Sequence, residues 1–319
     1  MTTQRSLAEI DNEPLRTHRA AVEVEGLSMR YGDKLILDEL KFRIPTGQIV
    51  AILGPNGAGK STIIEILEGF RRPSGGRVDV LGSEPFTAPE QWRSRVGVVL
   101  QSWRDHGKWR VRDFLAYVAA AHHSAGCINT WNIDELLNAV ELTDCSGQKI
   151  GSLSGGQRRR VDVAAGVIAR PELLFLDEPT TGFDPEVRRS FHHLIRTLAS
   201  TTTIFWATHD LHEAEQMCDR IIILNHGSVI ADGSPTELRR QMAADTTVTW
   251  RAQDGSPHTK KATDPMALIQ ELVTGLDTIS ELEVHRGTLE DAYLSIVSEV
   301  RPSLDSPEDR HPTRDEGAE

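Results

Sequence analysis

Basic residues, aromatics, cysteine and long apolar runs are all scarce in this chain, and each shortage narrows what it can do. Lys and Arg number 35 against 47 Asp and Glu, a formal net charge of −12. That balance disfavours a broad DNA- or RNA-binding face, because neutralising phosphates needs a basic surface. It does not disfavour a nucleotide, which local backbone donors can hold. No apolar stretch approaches the ~20 residues of a membrane-spanning helix. Residues 1–20 are polar and charged, without an apolar run of signal-peptide length, so a cytoplasmic location is expected. Cys127, Cys145 and Cys218 have no paired or metal-type spacing; they read as ordinary thiols in a reducing compartment.

What the chain does have is a phosphate-binding loop. Gly54-Pro55-Asn56-Gly57-Ala58-Gly59-Lys60-Ser61 follows the apolar run Ile49–Leu53 and precedes Thr62 and a helix-like segment with Ile63, Ile64, Ile66 and Leu67. The strand–loop–helix context gives the letter pattern its physical meaning. Glycines let successive backbone N–H groups curl around anionic oxygens, and the new helix points its positive end at them. Lys60 can reach the terminal phosphates, and the Ser61 hydroxyl is placed to ligate Mg²⁺.

Two further segments carry chemistry. Leu173–Leu176 is an apolar strand that ends in Asp177 and Glu178. Asp177 can hold the Mg²⁺ on Ser61, and Glu178 can polarise a water for in-line attack on the γ-phosphate. An acidic pair that merely opens a loop is the plainer reading of those letters alone. In Leu153-Ser154-Gly155-Gly156-Gln157, ahead of Arg158–Arg170, Ser154 is a good N-cap and the glycines leave the first N–H groups uncovered. Such a helix end is a second anion site, or else simply a capped helix with a solvated arginine face.

The organisation reads as α/β, with five parts. Residues 1–20 form a disordered tail. From residue 21, Val22–Val24, Leu35–Leu37 and Phe42–Pro45 predict an antiparallel β subdomain, with another strand at Arg77–Val80. Ile49–Leu53, Val96–Leu100, Leu173–Leu176, Thr203–Trp206 and Ile221–Leu224 are short apolar runs, separated by helical segments from Val96 onward. They predict a mostly parallel, buried sheet extending to residue 240. Two amphipathic helices between Val111 and Asp144 predict a helical insertion at about 102–160. Residues 245–299 predict a small α+β appendage: strands at Thr246–Trp250 and Ser280–Val284, a helix at Met266–Val273, and a last helix opened by the capping box Thr288-Leu289-Glu290-Asp291. Residues 300–319 are an acidic, disordered tail.

Taken in order, these motifs closely resemble the ATP-binding-cassette (ABC) ATPases, a branch of the P-loop NTPases. Leu153-Ser154-Gly155-Gly156-Gln157 is similar to the family signature, between a Walker A loop and a Walker B strand. The resemblance covers roughly Val22 to Leu238. It implies that Tyr31 stacks on adenine, that Gln101 senses the γ-phosphate and Mg²⁺, and that His209 is the switch histidine. It also implies that the Gly182-Phe183-Asp184 loop, with Phe where Leu is more usual, faces a partner subunit. Taken alone, His209 with His212 also has the spacing of a metal pair, though no third ligand is evident.

The family mechanism implies a head-to-tail dimer in which ATP on Gly54–Ser61 of one subunit is covered by Ser154, Gly155 and Gly156 of the other. A homodimer with two competent sites is expected, and a heterodimer is the alternative. Without a membrane segment, the ATPase needs a separate permease, contacted near Gln101 and the helical insertion. It would sit peripherally on the inner face of the cell membrane. Trp103 and Trp109 in the polar stretch Ser102–Arg110 either line that contact or pack inward. The end of the appendage, Thr288–Leu294, resembles bacterial multidrug and antibiotic export ATPases of the daunorubicin-resistance type. The competing function is a soluble ABC ATPase acting on nucleic acid or ribosomes. Such proteins typically carry a long coiled-coil insertion, zinc modules or tandem cassettes, and none of these is evident here.

Overall fold

The computed structural model describes residues 20–100, 106–242, 246–252, 254–262, 264–275 and 280–285, with Glu290 and Tyr293. The tails expected at 1–20 and 300–319 lie outside these residues, except Ala20, which opens the first strand. The chain divides into two compact units, Met1–Leu238 and Arg239–Glu319.

In the first unit, β1 (Ala20–Tyr31) and β2 (Lys34–Pro45) pair antiparallel. The two short runs read from the sequence at Leu35–Leu37 and Phe42–Pro45 are one twelve-residue strand. Glu39, at φ +44°, sits where the register of β2 slips. An extra residue at such a bulge throws the alternation out of phase and hides the continuity. β3 (Ile49–Leu53) enters the central sheet, α1 (Lys60–Leu67) follows, and β4 (Gly75–Val80) returns to pair antiparallel with β1. The three outer strands lie in the order β2-β1-β4.

The short α2 (Glu90–Arg93) leads into β5 (Val96–Val99), and α3 (Val111–Ser124) and α4 (Ile133–Ala139) come next. These two pack on each other, and α3 also packs on α5 (Gly155–Val167). β6 (Leu173–Asp177), α6 (Pro185–Leu198), β7 (Thr203–Thr208), α7 (Leu211–Met217), β8 (Arg220–Asn225) and β9 (Ser228–Gly233) complete the central sheet. Its order is β5-β6-β7-β3-β8-β9, parallel throughout except for the antiparallel edge pair β8–β9. Every residue of β3, β6 and β7 is buried. A parallel strand covered on both faces has no solvent side, so its sequence is a continuous apolar run. α6 shows the complementary pattern. Asp184 caps it, Pro185 opens it, and Phe191, Leu194, Ile195 and Leu198 form its one buried stripe.

α8 (Pro235–Met242) runs through the division between the units. The second unit is a three-stranded antiparallel sheet of β10 (Thr246–Arg251), β11 (Pro257–Ala262) and β12 (Ser280–His285), ordered β11-β10-β12. α9 (Pro265–Gly275) supplies Leu268 and Leu272 to a small core with Val248. The last helix expected from Thr288 falls outside the described residues apart from Glu290 and Tyr293. Cys145 and Cys218 are buried, Cys127 is half-buried, and all three are free thiols.

Candidate functional site

β3 ends at Leu53, and the glycine-rich loop turns from it directly into α1. Gly59 stands at φ +107°, and a Cβ there would lie 2.5 Å from Leu37 Cδ2, so only glycine fits. No side chain caps α1; its first N–H groups are left to the loop's concave side. Ala58 is buried and its N–H donates to Pro55 O at 3.1 Å. The Lys60 side chain curls back over this loop. Its Nζ donates to Gly54 O at 2.8 Å and Pro55 O at 3.3 Å, and lies 3.3 Å from Glu178 Oε1.

β6 delivers the two carboxylates. Asp177 is 6% exposed, and its Oδ1 is buried without a hydrogen-bond partner. Burial raises its pKa, while the neighbouring Ser61 hydroxyl pulls the other way. An orphaned carboxylate oxygen beside a serine hydroxyl, at the rim of a phosphate cradle, is a donor set that fits Mg²⁺. Glu178 sits at φ +45°, a left-handed conformation that costs a non-glycine residue on the order of 1–3 kcal/mol. Its N–H donates to Ala207 O at 2.9 Å, and its Oε2 lies 2.6 Å from Nδ1 of His209 at the exit of β7.

Lys60, Glu178 and His209 share one open cavity of about 420 Å³, whose lining also includes Tyr31, Asn56, Gly57, Ser61 and Thr62; Asp177 lies beside Ser61 but is not among the lining residues. Segments far apart in sequence thus converge on a single basin. Tyr31 is 41% exposed, with the Arg71 guanidinium 4.9 Å from its ring centroid. Gln101 lies outside the described residues. Leu153, Ser154, Gly155, Gly156 and Gln157 are not among the residues that line the basin. They form the start of α5, where Ser154 and Gln157 make a reciprocal capping box. Gly155 is exposed with nothing within 4 Å of a built Cβ, whereas a Cβ on Gly156 would lie 2.4 Å from Val187 Cγ1. Asp184 is exposed and accepts from the N–H groups of Glu186 and Val187. His212 pairs with Gln216 at 2.9 Å.

A family model for ABC transporters matches residues 37–181. Daunorubicin resistance ATP-binding protein DrrA2 of Streptomyces coeruleorubidus is 33% identical over 304 residues, spanning 89% of this chain and 92% of its own. This chain belongs to the ABC-transporter ATPases. Nod factor export ATP-binding protein I of Rhizobium sp. (strain N33) is 37% identical over 221 residues, covering 69% of this chain and 73% of its own. A solved ATP-binding subunit of an ABC transporter superimposes with a TM-score of 0.60 at 27% identity, over 69% of this chain and 92% of that one. The protein is accordingly an ATP-binding, ATP-hydrolysing subunit of an ABC transporter, with an α/β cassette as its fold.

Beyond the motif residues, this ABC ATPase uses buried polar groups that single-letter patterns do not disclose. Glu213 on α7 is 2% exposed. It accepts from Thr180 Oγ1 at 2.9 Å and Thr208 Oγ1 at 3.4 Å, and meets His192 Nε2 at 2.7 Å. It thereby joins the loop after β6 to the end of β7, just before His209. Thr181, Lys34 and Ile36 also line the basin. Of the two tryptophans ahead of α3, Trp109 is 40% exposed with its ring 5.3 Å from that of Tyr117, itself 58% exposed. Trp103 lies outside the described residues.

One acid in this region makes stability pH-dependent. Burial pushes the Asp162 carboxyl up to about 6, against the pull of Arg159 and Arg158. A carboxyl raised on folding stabilises the fold fully below its unfolded pKa of 3.8, and that contribution is lost as pH climbs through about 6. Asp162→Asn, neutral at every pH, should therefore raise the Tm by a few degrees at pH 8, on the order of 1–2 kcal/mol. At pH 5 the gain should shrink. Thermal melts at both values check this, and an equal shift at the two would contradict it.

Proposed function

We propose that this ATPase drives export of drugs or other small, lipophilic molecules through a separate integral-membrane permease. It would act as a homodimer, peripheral on the inner face of the cell membrane and without a nucleic-acid partner. The relatives named for daunorubicin resistance and Nod factor export support the direction of transport. No helix among the described residues is long and apolar enough to cross a membrane, which supports a permease on another chain. The formal charge of −12 fits the absence of nucleic acid.

The observation that carries the mechanism is the separation of two anion-binding helix ends. The α1 end opens into the basin with Lys60, Ser61, Glu178 and His209, while the Ser154–Gly156 end of α5 does not line it. In this reading the second end serves the ATP of a partner copy, with Leu153 and Gln157 holding the turn and Asp184 facing the seam. Tyr31 stacks on adenine, and residues 54–62 hold the phosphates. Ser61, Asp177 and Gln101 would hold Mg²⁺, which when bound offsets charge on the phosphate oxygens. Glu178 orients and deprotonates the attacking water, and His209 holds the Glu178 carboxylate and the γ-phosphate in register. Release of the γ-phosphate removes the charge both helix ends grip, so the dimer opens.

Purifying the tagged chain from native membranes tests the coupling. An integral-membrane subunit should come with it in near-stoichiometric amount. Recovery of ribosomes or DNA alone would overturn the transporter reading in favour of a soluble ATPase.

A further inference from the structure

Arg158, Arg159 and Arg160 follow one another on α5, yet they meet different surroundings. Arg160 reaches Glu141 at 2.7 Å with a largely exposed partner, whereas Arg159 is 6% exposed. A buried guanidinium must satisfy up to five N–H donors without water. Arg159 does so mainly with neutral backbone oxygens. Its Nε donates to Pro179 O at 3.0 Å, its Nη2 to Asp177 O at 3.1 Å, and its Nη1 to Leu100 O. The Asp162 carboxylate lies 3.7 Å from Nη1, and the Asp177 carboxylate is also near enough to favour the charged guanidinium.

The targets are informative. Asp177 O belongs to the peptide plane that precedes Glu178, the residue held at φ +45°, and Pro179 O to the second plane after it. Leu100 O belongs to the residue immediately before Gln101. A planar guanidinium fixes the relative orientation of all the carbonyls it bonds, which a single-point ammonium does not. The peptide plane preceding Glu178 is therefore held at both ends, its carbonyl by Arg159 and its N–H by Ala207 O, and the same rigid fork ties it to the Pro179–Thr180 peptide, so that Glu178 is bracketed by two carbonyls fixed relative to each other. Relaxation of the left-handed backbone would require those bonds to break together.

We propose that Arg159 is a positioning residue for ATP hydrolysis: it locks the Glu178 backbone so that the carboxylate faces Lys60 and His209, and it ties that aim to α5. This rests on the reading of Glu178 as the group that deprotonates water and of the α5 tip as the part that meets a partner's nucleotide. Ser154 and Arg159 share one helix of thirteen residues and its cap. A displacement of the tip reaches the Glu178 segment through that helix and the two hydrogen bonds to Asp177 O and Pro179 O, a contiguous physical link. Each subunit would then adjust its own carboxylate according to whether its α5 tip is engaged.

The test is a double-mutant comparison in the full chain, using Arg159→Lys alone and in a Glu178→Gln background. Steady-state and single-turnover ATP hydrolysis and the Kd for a fluorescent ATP analogue are the readouts. Arg159→Lys should lower kcat at least about tenfold while leaving the Kd within about twofold, since Arg159 bonds none of the loop residues 54–62. In the Glu178→Gln background the same change should cause no further loss of the residual rate, because the group it positions is already disabled. A loss that multiplies in both backgrounds, a weakened Kd with unchanged kcat, or full activity in Arg159→Lys would overturn the assignment. Wild-type turnover by Glu178→Gln alone would instead remove the role of Glu178, and the positioning role with it, whatever Arg159→Lys does. Should Arg159→Lys fail to fold by thermal melt, Arg159→Gln keeps planar N–H donors without the charge, and the same outcomes decide.

Discussion

Glu178→Gln should bind ATP with near-normal affinity, lose turnover by on the order of 10²–10⁴-fold, and accumulate as a dimer. The amide has the shape of the carboxylate and can still hydrogen-bond His209, whose Nδ1 lies 2.6 Å from Glu178 Oε2. It cannot accept a proton from water at neutral pH. The γ-phosphate then stays in place, and with it the negative charge that would hold two subunits together. Gel filtration with ATP and Mg²⁺ reads the dimer, and phosphate release reads the rate. A variant that remains monomeric under those conditions would contradict the nucleotide sandwich, even if its hydrolysis is lost.

Lys60→Ala should abolish productive ATP binding. The ammonium is 6% exposed and held by Gly54 O and Pro55 O, so it is already aimed over the loop where phosphates bind. Removing one partner of a buried, hydrogen-bonded charge pair costs about 2–5 kcal/mol, tens- to thousands-fold in Kd. The same change strips Glu178 Oε1 of the cation 3.3 Å away, so the free protein should also melt earlier. The two effects separate in one titration. Wild type should gain Tm as ATP is added, and the variant should start lower and gain little. A wild-type gain in Lys60→Ala would take the phosphate-binding role from the loop.

The parts of this molecule legible from its letters are those where burial is complete. Ile49–Leu53, Leu173–Leu176, Thr203–Trp206 and Ile221–Leu224 stand out because both faces of their sheet are covered, and the structure places each run within a central strand. Edge strands left less trace. Every residue of β9 is half-buried, and the edge strand β11 exposes Pro257, His258, Thr259 and Lys260 in succession; neither has the alternation that marks a strand with one wet face. The cradle and its carboxylates could be read because glycine, lysine and acid occur at fixed offsets. Glu213 and Arg159 could not, because nothing in HDLHEAE or in three successive arginines distinguishes a side chain that turns inward from one in water. Only the packing of α5 and α7 against the sheet ends makes that choice.

The two glycines at the tip of α5 give different answers to the same mutation. Any methyl at 156 strikes Val187 within its own chain, so an inactive Gly156→Ala protein has an internal explanation and says little about a neighbour. A methyl at 155 points into open space, so harm done there has no internal clash to explain it. Geneticists screening this segment should score 155 as a probe of the proposed contact between copies and 156 as a check on folding.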